Sequence, residues 1–265
     1  MGHQYLLAAL RRVASERGLK SAVLTLDVHP LAVLAGVAQQ LLTTVDERTE
    51  LLKQNGIDEV FLFRFDVIRQ LTALEFMRLI HERCAVDTLL MGYDHRFGSD
   101  RLTSFADYEA CAKQVGIELV AVSEAPDIEV SSSKIRTALL AGDIEQANAM
   151  LGYPYSLTGT VVRGNGIGHT IGFPTANIEP DACKLVPKVG VYAAEGALVN
   201  IGTNPTVGNE RVTIEAYLPD YKGRDFYGQT LTLRFTKRIR DEKKFASLDE
   251  LKAQIQKDLS NLLCE

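Results

Sequence analysis

The chain has 265 residues, 46% hydrophobic and 24% charged, which supports well-formed cores in one large domain or two ordinary ones. A net charge of −5 excludes a broad binder of nucleic-acid backbones, and no apolar run approaches the ~20 residues that span a bilayer. The opening MGHQYLLAALRR lacks the order of a secretion signal, in which positive charge precedes the apolar run.

In chain order, Leu6, Leu7, Leu10 and Val13 recur at helical spacing and stop before Gly18. AVLTLDV then reads as a short strand, DERTELLKQNG as a helix closed by Asn55-Gly56, and EVFLF as the next strand. The alternation continues: TALEFMRLIHERC helical, VDTLLMG a strand, FADYEACAKQVG helical, IELVAV a strand. Apolar strands between amphipathic helices imply a parallel sheet covered on both faces, with ligands at the carboxyl ends of its strands. Helices at SSKIRTALLAG and DIEQANAMLG are expected to close this half, giving an α/β domain over 1–152.

After Gly152 the period changes. YSLTGTVV, GVYAA, ALVNIGT, RVTIEAYL and QTLTLRFTKRI are β-rich and separated by turn residues, so 153–265 reads as a compact antiparallel barrel. SLDELKAQIQKDLSNLL ends the chain as a helix. Ser247 and Glu250 form its capping box and Leu248, Leu251, Ile255 and Leu259 its apolar stripe. Cys84, Cys111, Cys183 and Cys264 are scattered without a C-x-x-C pair, the pattern of reduced thiols in a cytoplasmic protein.

The string GFPTAN, Gly172 to Asn177, combines a turn with two oxygen-bearing side chains. Thr175 and Asn177 lie two apart, so an extended segment turns both to one face. A hydroxyl and an amide carbonyl there suit Mg²⁺, which takes oxygens together with phosphates. Just before it, Gly164, Gly166 and Gly168 form a loop whose N–H groups can lie along phosphates, though its spacing matches no P-loop. Read singly, each piece is equally a barrel turn.

In order and spacing, TGTVVRGNGIGHTIGFPTANI, VNIGTNPTV, TIEAYL and RFTKRIRDEKKFASLDELKAQI resemble the riboflavin kinase family. The resemblance implies a six-stranded antiparallel kinase barrel with a terminal helix. In it Thr175 and Asn177 hold the Mg²⁺ of MgATP, and Glu215 is the catalytic base that deprotonates the ribityl 5′-hydroxyl. Gly164, Gly166 and Gly168 cover the ATP phosphates and Asn200 falls in a loop near the nucleotide. Arg238 to Phe245 form the flavin-side loop, with Arg238, Arg240 and Phe245 as flavin contacts. Glu215 alternates with its neighbours in its strand and is expected to point into the barrel mouth; by itself such a residue is equally a solvated strand glutamate, and Arg238 and Arg240 equally a basic edge.

The first half resembles the Rossmann-like nucleotidylyltransferase domain of bacterial bifunctional riboflavin kinase/FAD synthetases. Ser131, Ser132, Ser133, Lys134 and Arg136 match its second signature, which meets ATP phosphates at a helix start; without the family the serines read as a helix cap. Asp27-Val28-His29-Pro30 and Gly92 to Gly98 resemble its loops after the strands and place His29 and Asp94 near a nucleotide. Only the final Gly2-His3 of its H-x-G-H signature is present, with His3 as the catalytic histidine, so weak adenylylation beside an intact kinase is expected of the sequence as it stands. His169 stands where the family commonly has arginine, and GVYAAEGALVNIG is about ten residues shorter than the usual strand–turn–strand, a length typical of one such unit. A strand lost there would open the barrel.

The expected substrates and products are riboflavin, FMN, FAD and ATP, with no nucleic acid or membrane partner; the oligomeric state is left open. The competing readings are a nucleotidylyltransferase whose barrel only grips substrate, and a non-catalytic flavin- or nucleic-acid-binding barrel.

Overall fold

The computed structural model describes residues 2–28, 40–92, 95–122, 130–164, 167–206, 209–219 and 227–263. They form two compact units, 1–129 and 130–265.

In the first unit α1 (Gly2–Arg17) leads into β1 (Ala22–Leu26), which pairs in parallel with β2 (Glu59–Phe63). Helix α2 (Val45–Gln54) precedes β2, opened by a reciprocal cap: the Glu47 N–H donates to the Thr44 hydroxyl and the Thr44 N–H to the Glu47 carboxylate. A short α3 (Phe65–Ile68) and α4 (Ala73–Cys84) follow, then β3 (Thr88–Gly92), α5 (Phe105–Val115) and β4 (Glu118–Val122), with β3 and β4 parallel. Among the described residues the expected parallel sheet is thus two pairs, β1–β2 and β3–β4. Both face one core: Met77, Ile80, Met91, Tyr108 and Ile117 are buried together, and Leu24, Phe63, Leu89 and Leu119 pack against them.

The second unit opens with α6 (Ser132–Ala141) and α7 (Ile144–Leu151), read from sequence as closing the first half. Hydrogen bonds tie both helices to the segments that follow. The Lys188 N–H donates to the Leu139 carbonyl at 3.1 Å. Asn148 donates to the Phe235 carbonyl at 2.8 Å and accepts from the Tyr155 N–H at 2.7 Å. Helical periodicity shows that a face will be buried, but not against which core.

The barrel strands are β5 (Tyr155–Val162), β6 (Thr175–Pro180), β7 (Gly190–Ala194), β8 (Ala197–Thr206), β9 (Asn209–Tyr217) and β10 (Thr230–Arg240). They close in the order β10-β5-β6-β9-β8-β7. The shortened β7–β8 connection is a two-residue turn, Glu195-Gly196, with Ala194 facing Ala197, so the barrel closes without a further strand. A four-residue helix α8 (Ile167–Thr170) lies within the glycine-rich segment read as a loop, and α9 (Leu248–Leu263) ends the chain.

Alternation along each strand separates an inner from an outer face. Tyr155, Leu157, Val161, Ile178, Ala176, Ala216, Ile214, Val199, Ile201, Tyr192, Leu233 and Phe235 are buried and lie opposite one another from strand to strand. They fill the interior, where Tyr192 and Phe235 meet edge to face at 5.6 Å.

Candidate active site

β9 sits between β6 and β8, and pairing sets Glu215 opposite Asn177 on one side and Asn200 on the other. Residues directly opposite in a sheet share a face. These three, with Thr175, are half-buried, whereas Ile214 and Ala216 beside Glu215 are buried. The Glu215 side chain therefore lies on the outer wall and not in the barrel mouth, a correction to the sequence reading. Asn200 is likewise corrected: it lies within strand β8, not in a loop, because both Val191 and Glu215 pair with it.

The Thr175 hydroxyl is hydrogen-bonded to the Glu215 carboxylate. Burial pushes the Glu215 carboxyl above its ordinary value, the Thr175 bond opposes the rise, and the Glu242 carboxylate adds to it. A carboxylate held by desolvation on a shared face is suited to accept a proton from a hydroxyl placed beside it.

The glycine segment closes over the β6 side. A Cβ on Gly164 would lie 2.0 Å from the Asn177 Nδ2, so only glycine permits this approach. Gly168 accepts the Phe173 N–H at 2.8 Å, and the Phe173 ring meets Tyr217 edge-on at 5.3 Å. Gly166 lies outside the described residues. On the β8 side, a Cβ on Gly202 would lie 2.6 Å from a Glu242 oxygen, so the segment after β10 presses onto β8 beside Asn200.

Arg238 and Arg240 turn to protein partners. Arg238 donates to the Val189 carbonyl at 2.9 Å and to Asp241 at 2.7 Å. Arg240 donates to Asp258 Oδ2 at 2.7 Å from Nη2 and 3.0 Å from Nε, and Nε also reaches Oδ1 at 3.2 Å. The half-buried Phe245 ring lies 5.9 Å from the Arg240 guanidinium. Sequence reasoning missed Glu242 and Asp258. The latter had a signal, since it continues the 251, 255 spacing of the helix stripe with a charge where an apolar residue is expected.

In the α/β unit, a cavity at the carboxyl end of β1 is lined by Leu24, Leu26, Asp27, Leu41 and Arg48, the place expected for a ligand. Asp27 accepts the Phe65 N–H at 3.0 Å and Arg48 donates to the Leu26 carbonyl at 2.6 Å. Past β3, the Tyr108 hydroxyl donates to the Phe97 carbonyl at 2.7 Å and fixes the loop that carries the second motif. His29 and Asp94 lie outside the described residues, and His3 is exposed in the first turn of α1. Ser131 caps α6 by accepting the Lys134 N–H at 3.2 Å. Ser132, Ser133 and Lys134 are exposed there, while Arg136 is half-buried, with its pKa lowered by desolvation. This signature falls in the same compact unit as the barrel.

A closed six-stranded barrel with a carboxylate, a threonine and an asparagine on one outer face, in one chain with an α/β unit that has a cavity at a strand end, defines a two-unit enzyme of the nucleotide-dependent transferase class. The riboflavin kinase family matches residues 151–263 and the FAD synthetase family residues 1–137. The chain belongs to the family of bifunctional riboflavin kinase/FMN adenylyltransferases. Proteins of that name from Listeria monocytogenes and Bacillus subtilis are each 33% identical over 97% of this chain and 86% of their own length. The match to the Bacillus protein has the same extent as the Listeria one, and that from Escherichia coli K12 is 35% identical over the same shares. A solved structure titled as a macrolide-efflux protein from Streptococcus pneumoniae superposes with a TM-score of 0.79 at 30% identity, covering 98% of this chain and 88% of that one. Among the described residues no helix is long and apolar enough to cross a membrane.

Proposed function

We propose that the barrel transfers the γ-phosphoryl group of ATP to the 5′-hydroxyl of riboflavin, and that the chain's α/β half adenylylates the resulting FMN to FAD with release of pyrophosphate. The observation that carries the kinase reading is the shared outer face of Thr175, Asn177 and Glu215 across β6 and β9. Glu215 takes the hydroxyl proton as the ribityl oxygen bonds to the γ-phosphorus and the bond to ADP breaks. Phosphoryl transfer relies chiefly on positioning and charge neutralisation, and this face supplies the positioning.

The donor set on that face is all oxygen: a hydroxyl, an amide carbonyl and a carboxylate, which fits Mg²⁺. Thr175 and Asn177 would hold it, and when bound it supplies charge neutralisation at the phosphate oxygens. Gly164 and Gly168 bring backbone against Asn177 and Thr175 and so set the phosphate side. Asn200 completes the row on the far side of Glu215. Phe245 offers an apolar face on the flavin side, with Arg238 and Arg240 fixing the start of its loop.

For adenylylation, the FMN phosphate attacks the α-phosphorus of ATP. The exposed N-terminus of α6, with Ser132, Ser133, Lys134 and Arg136, is the anion-facing element, joined by His3, His29 and Asp94 as the family match implies. The free thiols of Cys84, Cys111 and Cys183 support a reducing, cytoplasmic setting.

The test is incubation with riboflavin, ATP and Mg²⁺ followed by chromatography. FMN is expected from the wild type, and FAD reports the second activity. A wild-type protein that makes no FMN ends the kinase reading.

A further inference from the structure

α9 docks on the barrel in an unusual way. Of its apolar stripe, Leu248 is 54% exposed and Leu251, Ile255 and Leu259 are half-buried, whereas Asp258 is 1% exposed. Among the described residues the deepest side chain of the helix is thus a carboxylate, and four hydrogen bonds surround it. Arg240 Nε and Nη2 reach its two oxygens, and Gln254 Nε2 donates to Oδ1 at 2.8 Å. A buried ion pair of this kind adds little net stability, because desolvation offsets the attraction; its value lies in fixing one geometry. The planar fork of arginine suits that role.

What the pair fixes is the segment between β10 and α9. Arg240 Nη1 donates to the Asp241 carbonyl at 3.0 Å, and Arg238 holds the Asp241 side chain from the other direction. One residue further, Glu242 presses onto Gly202 beside Asn200, and Phe245 packs near the Arg240 guanidinium. Glu215 lies between two sides: Gly164 and Gly168 meet β6 at Asn177 and Thr175, and Glu242 meets β8 at Gly202. In-line transfer requires donor and acceptor on opposite sides of the moving group. With phosphates on the β6 side, the acceptor alcohol enters from the β8 side.

We propose that Arg240 and Asp258 are positioning residues: their ion pair is a latch that holds the 241–247 segment as the wall of the acceptor-alcohol subsite. The inference rests on the kinase reading above, and touches neither the phosphate side nor the proton acceptor directly.

Two variants test it, Asp258→Asn and Arg240→Lys, each removing the paired fork while keeping size or charge. Steady-state kinetics should show the riboflavin KM raised about tenfold or more, with the ATP KM within about twofold and kcat within about threefold. Riboflavin binding without ATP, read by flavin fluorescence, should weaken in parallel. A latch that only stabilises the barrel would lower the melting temperature and leave both KM values alone, and that result overturns the proposal. So does a joint rise of both KM values, or failure of both variants to fold. Wild-type protein that makes no FMN would refute the kinase reading itself, whereas active wild type with unmoved variants refutes only the latch.

Discussion

Strands β1 and β7 are both five residues long and almost wholly apolar, AVLTL and GVYAA, yet every residue of β1 is half-buried and every residue of β7 is buried. β7 has β8 and β10 on its two edges and an aromatic interior beneath it, whereas β1 has β2 alone among the described residues. Composition marks both as strands; neighbours decide how much each contributes. A closed barrel removes edges and over-determines the position of every side chain on its wall. The proposed site for phosphoryl transfer is on that wall, where Glu215 is paired on both sides.

The sharpest way to break this comparison is chemical. Glu215→Gln should lower FMN formation by roughly 10²–10⁴-fold, the usual contribution of a positioned base, while FAD formation from supplied FMN is unchanged. Equal loss of both activities would mean that the two units do not work separately. Next, Gly164→Ala drives a methyl into the Asn177 amide, and a misplacement of that size should cost about 10²-fold in kinase rate. Its melting temperature should stay near the wild type.

Stability offers a second, smaller contrast. Leu157 in the barrel interior is 0% exposed, so Leu157→Ala should cost about 2–5 kcal/mol by denaturant unfolding followed by circular dichroism. Leu24→Ala in half-buried β1 should cost less than half of that. Equal costs would show that β1 is as enclosed as the barrel.

The smallest expected effect concerns Asp58, whose carboxylate accepts from the Ser21 hydroxyl at 2.7 Å and the Ser21 N–H at 2.8 Å. Those bonds hold its pKa below the ordinary carboxylate value. A depressed acid stabilises the fold above its unfolded pKa and loses that contribution as pH falls through the folded value. Asp58→Asn should therefore melt lower than wild type at neutral pH, with the gap closing in acid. A gap that widens in acid would contradict the assignment.

Much of this was legible in the residues. Period-2 stretches found β5, β7, β8, β9 and β10, and the P-T-A-N string with the glutamate of T-I-E-A-Y located the shared face. Alternation could say that Glu215 opposes Ile214 and Ala216, but not which face would line the interior until closure was known. The same limit applies to α6 and α7, since a helical stripe does not name its partner and their hydrogen bonds to later segments could not be read from periodicity. The protein partners of the basic residues on β10 could not be read from the sequence, because Asp258 lies far along the chain and the Val189 carbonyl is a backbone group.

The placement of Glu215 in β9 has a consequence for how faulty copies fare. A slip of β9 by one residue against β6 and β8 would carry the glutamate into the hydrocarbon interior and turn Ile214 or Ala216 out toward solvent. Such a chain would be inert and poorly folded at once. Cellular proteolysis that removes unstable protein would thereby also remove inactive protein, with no separate check on catalysis.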